Sequence, residues 1–275
     1  MYPTLFEIGP FTLHSFGLMA ALGFLAALFA MTALARRGLA GGLTPDGVSQ
    51  LLVMVMLGGA FGARFAYVAE HWTSEFAGRG FVEVFRFDKG GLMFYGGLVG
   101  AILLIALFSR IRRLPLVGLL DLCATALPLG HAFGRVGCFL NGCCYGRPTS
   151  CFLGVTYPAG SSVWADHVHQ GLVTRGAAGS LPVFPSQLIE AAANLLLFAA
   201  LFHLMRRRPA RGFVSGVYLV SYAVIRFFTE TLRGDPRMPV GPLSISQAIS
   251  VAALLSGVAF LVCSRFASRR GGEGA

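Results

Sequence analysis

The sequence predicts an all-α integral membrane protein with about seven transmembrane helices, and three observations lead there. Of its 275 residues, 55% are hydrophobic and only 12% charged, with a mean hydropathy of +0.70. A soluble domain carries about a quarter of its residues as charges, so lipid must cover surface that water would otherwise cover. The apolar residues also come in long runs, as a hydrocarbon layer about 30 Å thick demands of a helix rising about 1.5 Å per residue. Finally, the 22 Lys and Arg residues, which set a net charge of +10, lie in short clusters between those runs. That placement encodes topology and argues against a nucleic-acid surface.

The runs fall at 13–35, 47–70, 91–109, 116–137, 185–205, 212–232 and 243–264. No basic segment precedes the first and no small-residue cleavage site follows it, so it is read as a retained helix, not a signal peptide. Arg36 and Arg37 come directly after it. The second and third runs carry Gly58 and Gly62, and Gly96 and Gly100, at a four-residue spacing that lets helices approach closely. The fourth carries Asp121 near its start and ends in a glycine-rich stretch. Seven spans place the termini on opposite sides. One side collects 12 basic residues (Arg36, Arg37, Arg110, Arg112, Arg113, Arg206, Arg207, Arg208, Arg211, Arg265, Arg269, Arg270), in short loops hard against the spans. The other collects 7: Arg79, Arg86, Lys89, Arg147, Arg175, Arg233 and Arg237. The positive-inside rule then puts the N-terminus outside (periplasmic) and the C-terminus in the cytoplasm. Outside lie the long connections 71–90 and 138–184. The second is large enough for a small cap, punctuated by Pro158, Gly160, Gly176 and Gly179. The chain, 1–275, is read as a single transmembrane domain with this outward cap, without internal repeats or low-complexity segments.

Polar residues inside spans are costly, about 2.5–3.5 kcal/mol for a charge at mid-bilayer on insertion scales, and so point to function. Tyr222, Arg226, Glu230 and Arg233 follow spacings of four, four and three, one face of the sixth helix. A structural Arg226–Glu230 ion pair is the bland alternative. The fifth span opens with Pro185, Ser186 and Gln187, and Gln187, Glu190 and Asn194 share a face. Arg64 and Tyr67 lie in the second span; pairing with a carboxylate would suffice for Arg64. The fourth span ends His131-Ala132-Phe133-Gly134-Arg135-Val136-Gly137, and Cys138-Phe139-Leu140-Asn141-Gly142-Cys143-Cys144-Tyr145-Gly146-Arg147 follows. Arginines, an amide side chain and glycines that expose backbone amides suit a phosphate oxygen ligand. Cys138, Cys143, Cys144 and Cys151 fall on the oxidising side, where one or two disulfides could brace the cap; buried free thiols are the alternative. Their spacing fits no standard zinc set, and no metal or other cofactor is expected. Cys123 and Cys263 are read as packing residues within spans.

These motifs resemble the prolipoprotein diacylglyceryl transferases. That family's signature, Gly-Arg-x-Gly-Asn-Phe-x-Asn-x-Glu-x-x-Gly, is matched here from Gly134 to Gly146. The resemblance extends from Ile8-Gly9-Pro10 and His14-Ser15-Phe16-Gly17-Leu18-Met19, through Gly90-Gly91-Leu92-Met93-Phe94-Tyr95-Gly96-Gly97, to Pro185–Glu190 and Tyr222–Glu230. It implies a multi-pass enzyme of the bacterial inner membrane. Such an enzyme moves the diacylglyceryl group of phosphatidylglycerol to a lipobox cysteine of a prolipoprotein, forming a thioether and releasing glycerol phosphate. The lipid bilayer, phosphatidylglycerol and the precursor are the implied partners. The resemblance casts Arg135 as the headgroup arginine and Arg226 with Glu230 as the second essential pair. It adds Gly137, Asn141, Gly146, Glu190 and Tyr222 as substrate-binding positions. The chain departs from the pattern at four places. Tyr95 stands where the family often has His, Phe16 where it has Tyr, Cys138 where it has Asn, and Cys143 where it has Glu. Tyr95, with a phenol pKa near 10, suits a hydrogen-bond donor better than a base. Two other classes stay open on the residues alone. A membrane thiol-redox protein is prompted by Cys143-Cys144, and a transporter of an anionic solute by the intramembrane arginines. An intramembrane protease lacks a Ser–His arrangement.

Overall fold

The computed structural model describes residues 4–8, 11–78, 80–87, 90–235, 239–240 and 243–272. Gly9, Pro10, Arg79, Lys89 and Arg237, used in the motif and charge readings, lie outside the described residues, as do the side chains of Arg269 and Arg270. Eight α-helices are described: α1 (Ser15–Arg36), α2 (Pro45–Glu70), α3 (Phe94–Arg112), α4 (Leu116–Asn141), α5 (Ser162–His169), α6 (Ser186–Arg206), α7 (Phe213–Thr231) and α8 (Ile245–Gly272). All but α5 are long and apolar enough to cross a bilayer, giving the seven predicted spans. Helix α5 escaped prediction, as did the antiparallel hairpins β1 (Thr4–Ile8) with β2 (Phe11–His14), and β3 (Pro239–Val240) with β4 (Leu243–Ser244).

Helix ends follow local chemistry. Thr44 caps α2 by accepting from the Gly47 N–H at 3.2 Å, with Pro45 in the first turn, where its missing donor costs nothing. The third span begins three residues later than predicted because Gly90 and Gly91 adopt φ of +75° and +71°, which a helix cannot use. The fourth runs past 137 to Asn141, ending only where Gly142 turns at φ +75°. The cap therefore starts at 142.

Two compact units divide the chain. Met31–Leu122 forms one, in which α2 and α3 pack through their glycines. A Cβ added at Gly58 would come within 2.5 Å of the Gly100 carbonyl oxygen, so only glycine permits this approach. Arg64, 3% exposed, pairs with no carboxylate among the described residues. Its guanidinium donates to the carbonyls of Glu83, Val84 and Gly90 at 2.7–2.8 Å and of Gly91 at 3.2 Å, and lies over the Tyr67 and Phe76 rings. It staples the loop between α2 and α3 to the end of α2.

The second unit comprises the chain up to Ala30 and from Cys123 onward. Here α7 packs between α6 and α8, and α1 meets α4, where Gly137 leaves room for Phe16 and Met19. Residues 142–185 fold as a cap over a small core of Tyr145, Tyr157, Val163 and Val183. Ser161 caps α5, and backbone bridges join Pro148 and Val155 to Val183 and Pro158 to Gly179.

Candidate functional site

Polar side chains of the second unit converge where α4 ends and α6 begins. Arg135 Nη2 lies 2.9 Å from Glu190 Oε1, with side-chain exposures of 11% and 2%. One turn earlier on α4, His131 accepts at Nε2 from Arg135 Nε at 3.1 Å. His131 Nε2 is also 3.4 Å from Glu190 Oε1, but a nitrogen that accepts from a guanidinium has no proton to give, so we read that approach as proximity. Tyr222 of α7 packs its ring 5.4 Å from His131 and stacks on Tyr218.

A second pair sits on α7. Arg226 Nη2 is 2.8 Å from Glu230 Oε2 and donates to Ser246 Oγ at 2.9 Å, while Ser244 Oγ donates to Glu230 Oε1 at 2.8 Å. The spacing of four predicted from the sequence thus becomes a real contact, braced by the start of α8. Arg226 Nη1 is buried and makes no hydrogen bond among the described residues. A buried guanidinium nitrogen left in that state costs about 1–3 kcal/mol or more, and an anionic oxygen would relieve it. Arg233 does not extend this stripe. Helix α7 stops at Thr231, and Arg233 lies beyond it, paired through two bonds to Asp235 at 2.9 and 3.0 Å.

Helix α6 ties the pairs to the loop after α4. Ser186 Oγ donates to the Cys144 carbonyl at 3.1 Å, and Gln187 Nε2 to the Cys143 carbonyl at 2.8 Å. Asn194 Nδ2 donates to the Glu190 carbonyl at 2.8 Å. The predicted common face of Gln187, Glu190 and Asn194 is therefore buried and occupied. All six cysteines are free thiols, so the disulfides considered from the sequence are not formed. The sulfurs of Cys138, Cys143 and Cys144 gather within 4.8 Å of one another, and Cys151 stays apart from them. Hydrogen bonds from the Cys138 and Cys143 thiols, with the charges of Arg233 and Arg135, pull the Cys144 pKa well down against the effect of burial.

Other predicted residues fall into place differently. Asn141 is the last residue of α4, beside the cysteine loop. Gly146 sits at a three-way backbone junction, donating to the Phe184 carbonyl at 3.0 Å, while the flanking Arg147 N–H reaches Leu232 and Gly234 reaches Tyr145. A Cβ there would lie 2.8 Å from that of Phe184. Gly137 is the point where α1 approaches α4. Tyr95 belongs to the other unit, half-exposed in the first turn of α3 with its ring against Phe94. Sequence reasoning passed over His131 and Ser244. His131 could have been found, since it lies four residues before Arg135 on the same helical face.

Residues 3–263 match the family model for prolipoprotein diacylglyceryl transferase. The chain belongs to this family. It is 30% identical over 252 residues to phosphatidylglycerol–prolipoprotein diacylglyceryl transferase 2 of Clostridium perfringens, an alignment covering 92% of this chain and 91% of that one. The transferases of Xanthomonas euvesicatoria pv. vesicatoria and Xanthomonas campestris pv. campestris are 34% and 35% identical over 276 residues, covering 96% of this chain and 91% of theirs. Membership in a diacylglyceryl transferase family gives the largely buried arginines a chemical context that the thiol-redox reading lacks. This family member carries its signature on the end of α4 and the loop that follows, where Arg135, Asn141 and the cysteines lie.

Proposed function

We propose that this chain transfers the diacylglyceryl group of phosphatidylglycerol to the lipobox cysteine thiol of prolipoproteins. The observation that carries the reading is the pair of largely buried arginines, Arg135 and Arg226, each set by one carboxylate, with Arg226 Nη1 left without a hydrogen bond among the described residues. A guanidinium fork matches phosphate oxygens bidentately, and a low-dielectric setting strengthens that contact. The family and the relatives' names supply the substrate class.

The reaction joins the acceptor sulfur to the glyceryl carbon and breaks that carbon's bond to the phosphate oxygen, which keeps the electron pair and leaves as glycerol phosphate. A free thiol has pKa near 8.5, so few acceptors are thiolate at neutral pH. Arg135 holds the lipid phosphate, and its charge favours the attacking thiolate. Arg226 meets charge developing on the leaving phosphate, with Glu230 and Ser246 fixing its plane and Ser244 holding Glu230. Glu190 and His131 orient Arg135. Asn141, Gly137, Gly146 and Tyr222 shape the headgroup side, and water accepts the thiol proton.

The whole chain, on this reading, is one catalytic domain of the bacterial inner membrane, with N-terminus and cap outside and C-terminus in the cytoplasm. The cluster of Arg206, Arg207, Arg208 and Arg211 between α6 and α7 supports that orientation. Purified protein given phosphatidylglycerol and a lipobox peptide should release glycerol phosphate and form a thioether-linked lipid. Arg135→Ala should abolish both, and an equal yield from that variant would refute the reading.

A further inference from the structure

The three clustered sulfurs belong to no step derived above. Cys138 ends a helical turn of α4, and Gly142 at φ +75° and Cys144 at φ +60° fold the next residues back, bringing a Cys-x4-Cys-Cys sequence to one point. Left-handed backbone at a cysteine is uncommon, and here it is what turns Cys144 towards its neighbours. Ser186 and Gln187 hold the loop by the Cys144 and Cys143 carbonyls, so the arrangement is braced from α6. The sulfurs lie within 4.8 Å of one another. Around a tetrahedral zinc ion with Zn–S near 2.3 Å they would stand about 3.8 Å apart, so a contraction of at most about 1 Å completes the set.

We infer that Cys138, Cys143 and Cys144 form a binding site for a thiophilic divalent cation of the zinc class, with the fourth position left for the acceptor thiol. An all-sulfur donor set selects such ions over magnesium or calcium. Charge supports the assignment. Three thiolates around a dication make a complex of net charge −1, and two guanidiniums lie close enough to act electrostatically on the cluster, Arg233 on Cys144 and Arg135 on Cys138 and Cys144. Three protein ligands and one open position are the pattern of a zinc site that takes a substrate group. A thiol entering that position releases its proton to water and becomes a bound thiolate beside Arg135. The second half of the inference rests on the transferase reading; the first does not.

The test uses full-length protein in detergent, reduced and stripped of metal, titrated with Co2+ as a spectroscopic stand-in for Zn2+. The expected result is one equivalent bound with a sulfur-to-cobalt charge-transfer band. The band should vanish in the C138S/C143S/C144S variant and persist in Cys151→Ser. A lipobox peptide should shift the band, and its Cys→Ser analogue should not. Absence of the band, its survival in the triple variant, or indifference to the cysteine peptide would overturn the inference. Zn2+ content of protein purified under reducing conditions gives a second readout if the triple variant misfolds: wild type should retain one equivalent, and a metal-free isolate that also fails to take up Zn2+ counts against the site. Failure of the transferase reading would look different, with a peptide-sensitive band but no glycerol phosphate.

Discussion

Removing the partner of a buried charge is costlier than making the pair is rewarding, and this governs Arg135. Glu190 is 1% exposed and faces the Arg135 guanidinium. Glu190→Gln should lower stability by about 3–5 kcal/mol, because a buried cation loses its counter-charge. Thermal unfolding in detergent should show a clearly lower midpoint; an unchanged midpoint would mean that the pair is solvated. At this scale the sequence was partly legible. The i, i+4 spacing of Arg226 and Glu230 led directly to their contact, because a helix places such residues together whatever surrounds it. Arg64 was not legible in the same way. Its partners are carbonyls 19 to 27 residues away, and backbone acceptors leave no trace in side-chain identity. The cysteine cluster was hidden for a related reason, since its spacing matches no standard metal set until two left-handed residues close it.

Among the elements, the α2–α3 pair makes the sharpest claim. Gly58→Leu should separate the helices and reduce thermal stability, because its Cβ direction meets the Gly100 backbone, whereas Gly59→Leu, facing open space, should leave it unchanged. Equal effects of the two would remove the close-packing account. The cap makes a claim about pH. His167 is 1% exposed and its Nδ1 accepts from the Leu181 N–H at 3.3 Å, and burial lowers its pKa. A depressed folded pKa means that the unfolded chain binds the proton first. Its contribution is therefore complete above about pH 6.5 and is lost as pH falls from there towards the folded value. Hydrogen-exchange protection across 155–183, taken relative to the intrinsic rate at each pH, should fall between pH 7.5 and pH 5, and His167→Phe should flatten the change. A profile that is flat in wild type would contradict this. The seven spans were readable because hydrocarbon thickness sets a helix length. The hairpins and α5 were not, since bilayer thickness sets no length for short elements; α5 answers to cap packing of Val163 with Tyr145 and Tyr157.

For the molecule as a whole, the clustering of arginines in alternate loops predicts a direction of insertion. A reporter active only in the cytoplasm should work when fused after Ala275 and fail when fused in the cap; the reverse pattern would invert the topology. The deeper claim is that this family member places guanidinium groups within its membrane-spanning helices to grip a lipid's phosphate. The most direct measurement compares the affinity of purified protein for phosphatidylglycerol and for a neutral diacyl lipid, in wild type, Arg226→Lys and Arg135→Ala. The account predicts headgroup-dependent binding that weakens in both variants, in Arg226→Lys because a point charge cannot replace the fork. Equal affinity for the two lipids, or undiminished phosphatidylglycerol binding in both variants, would contradict it.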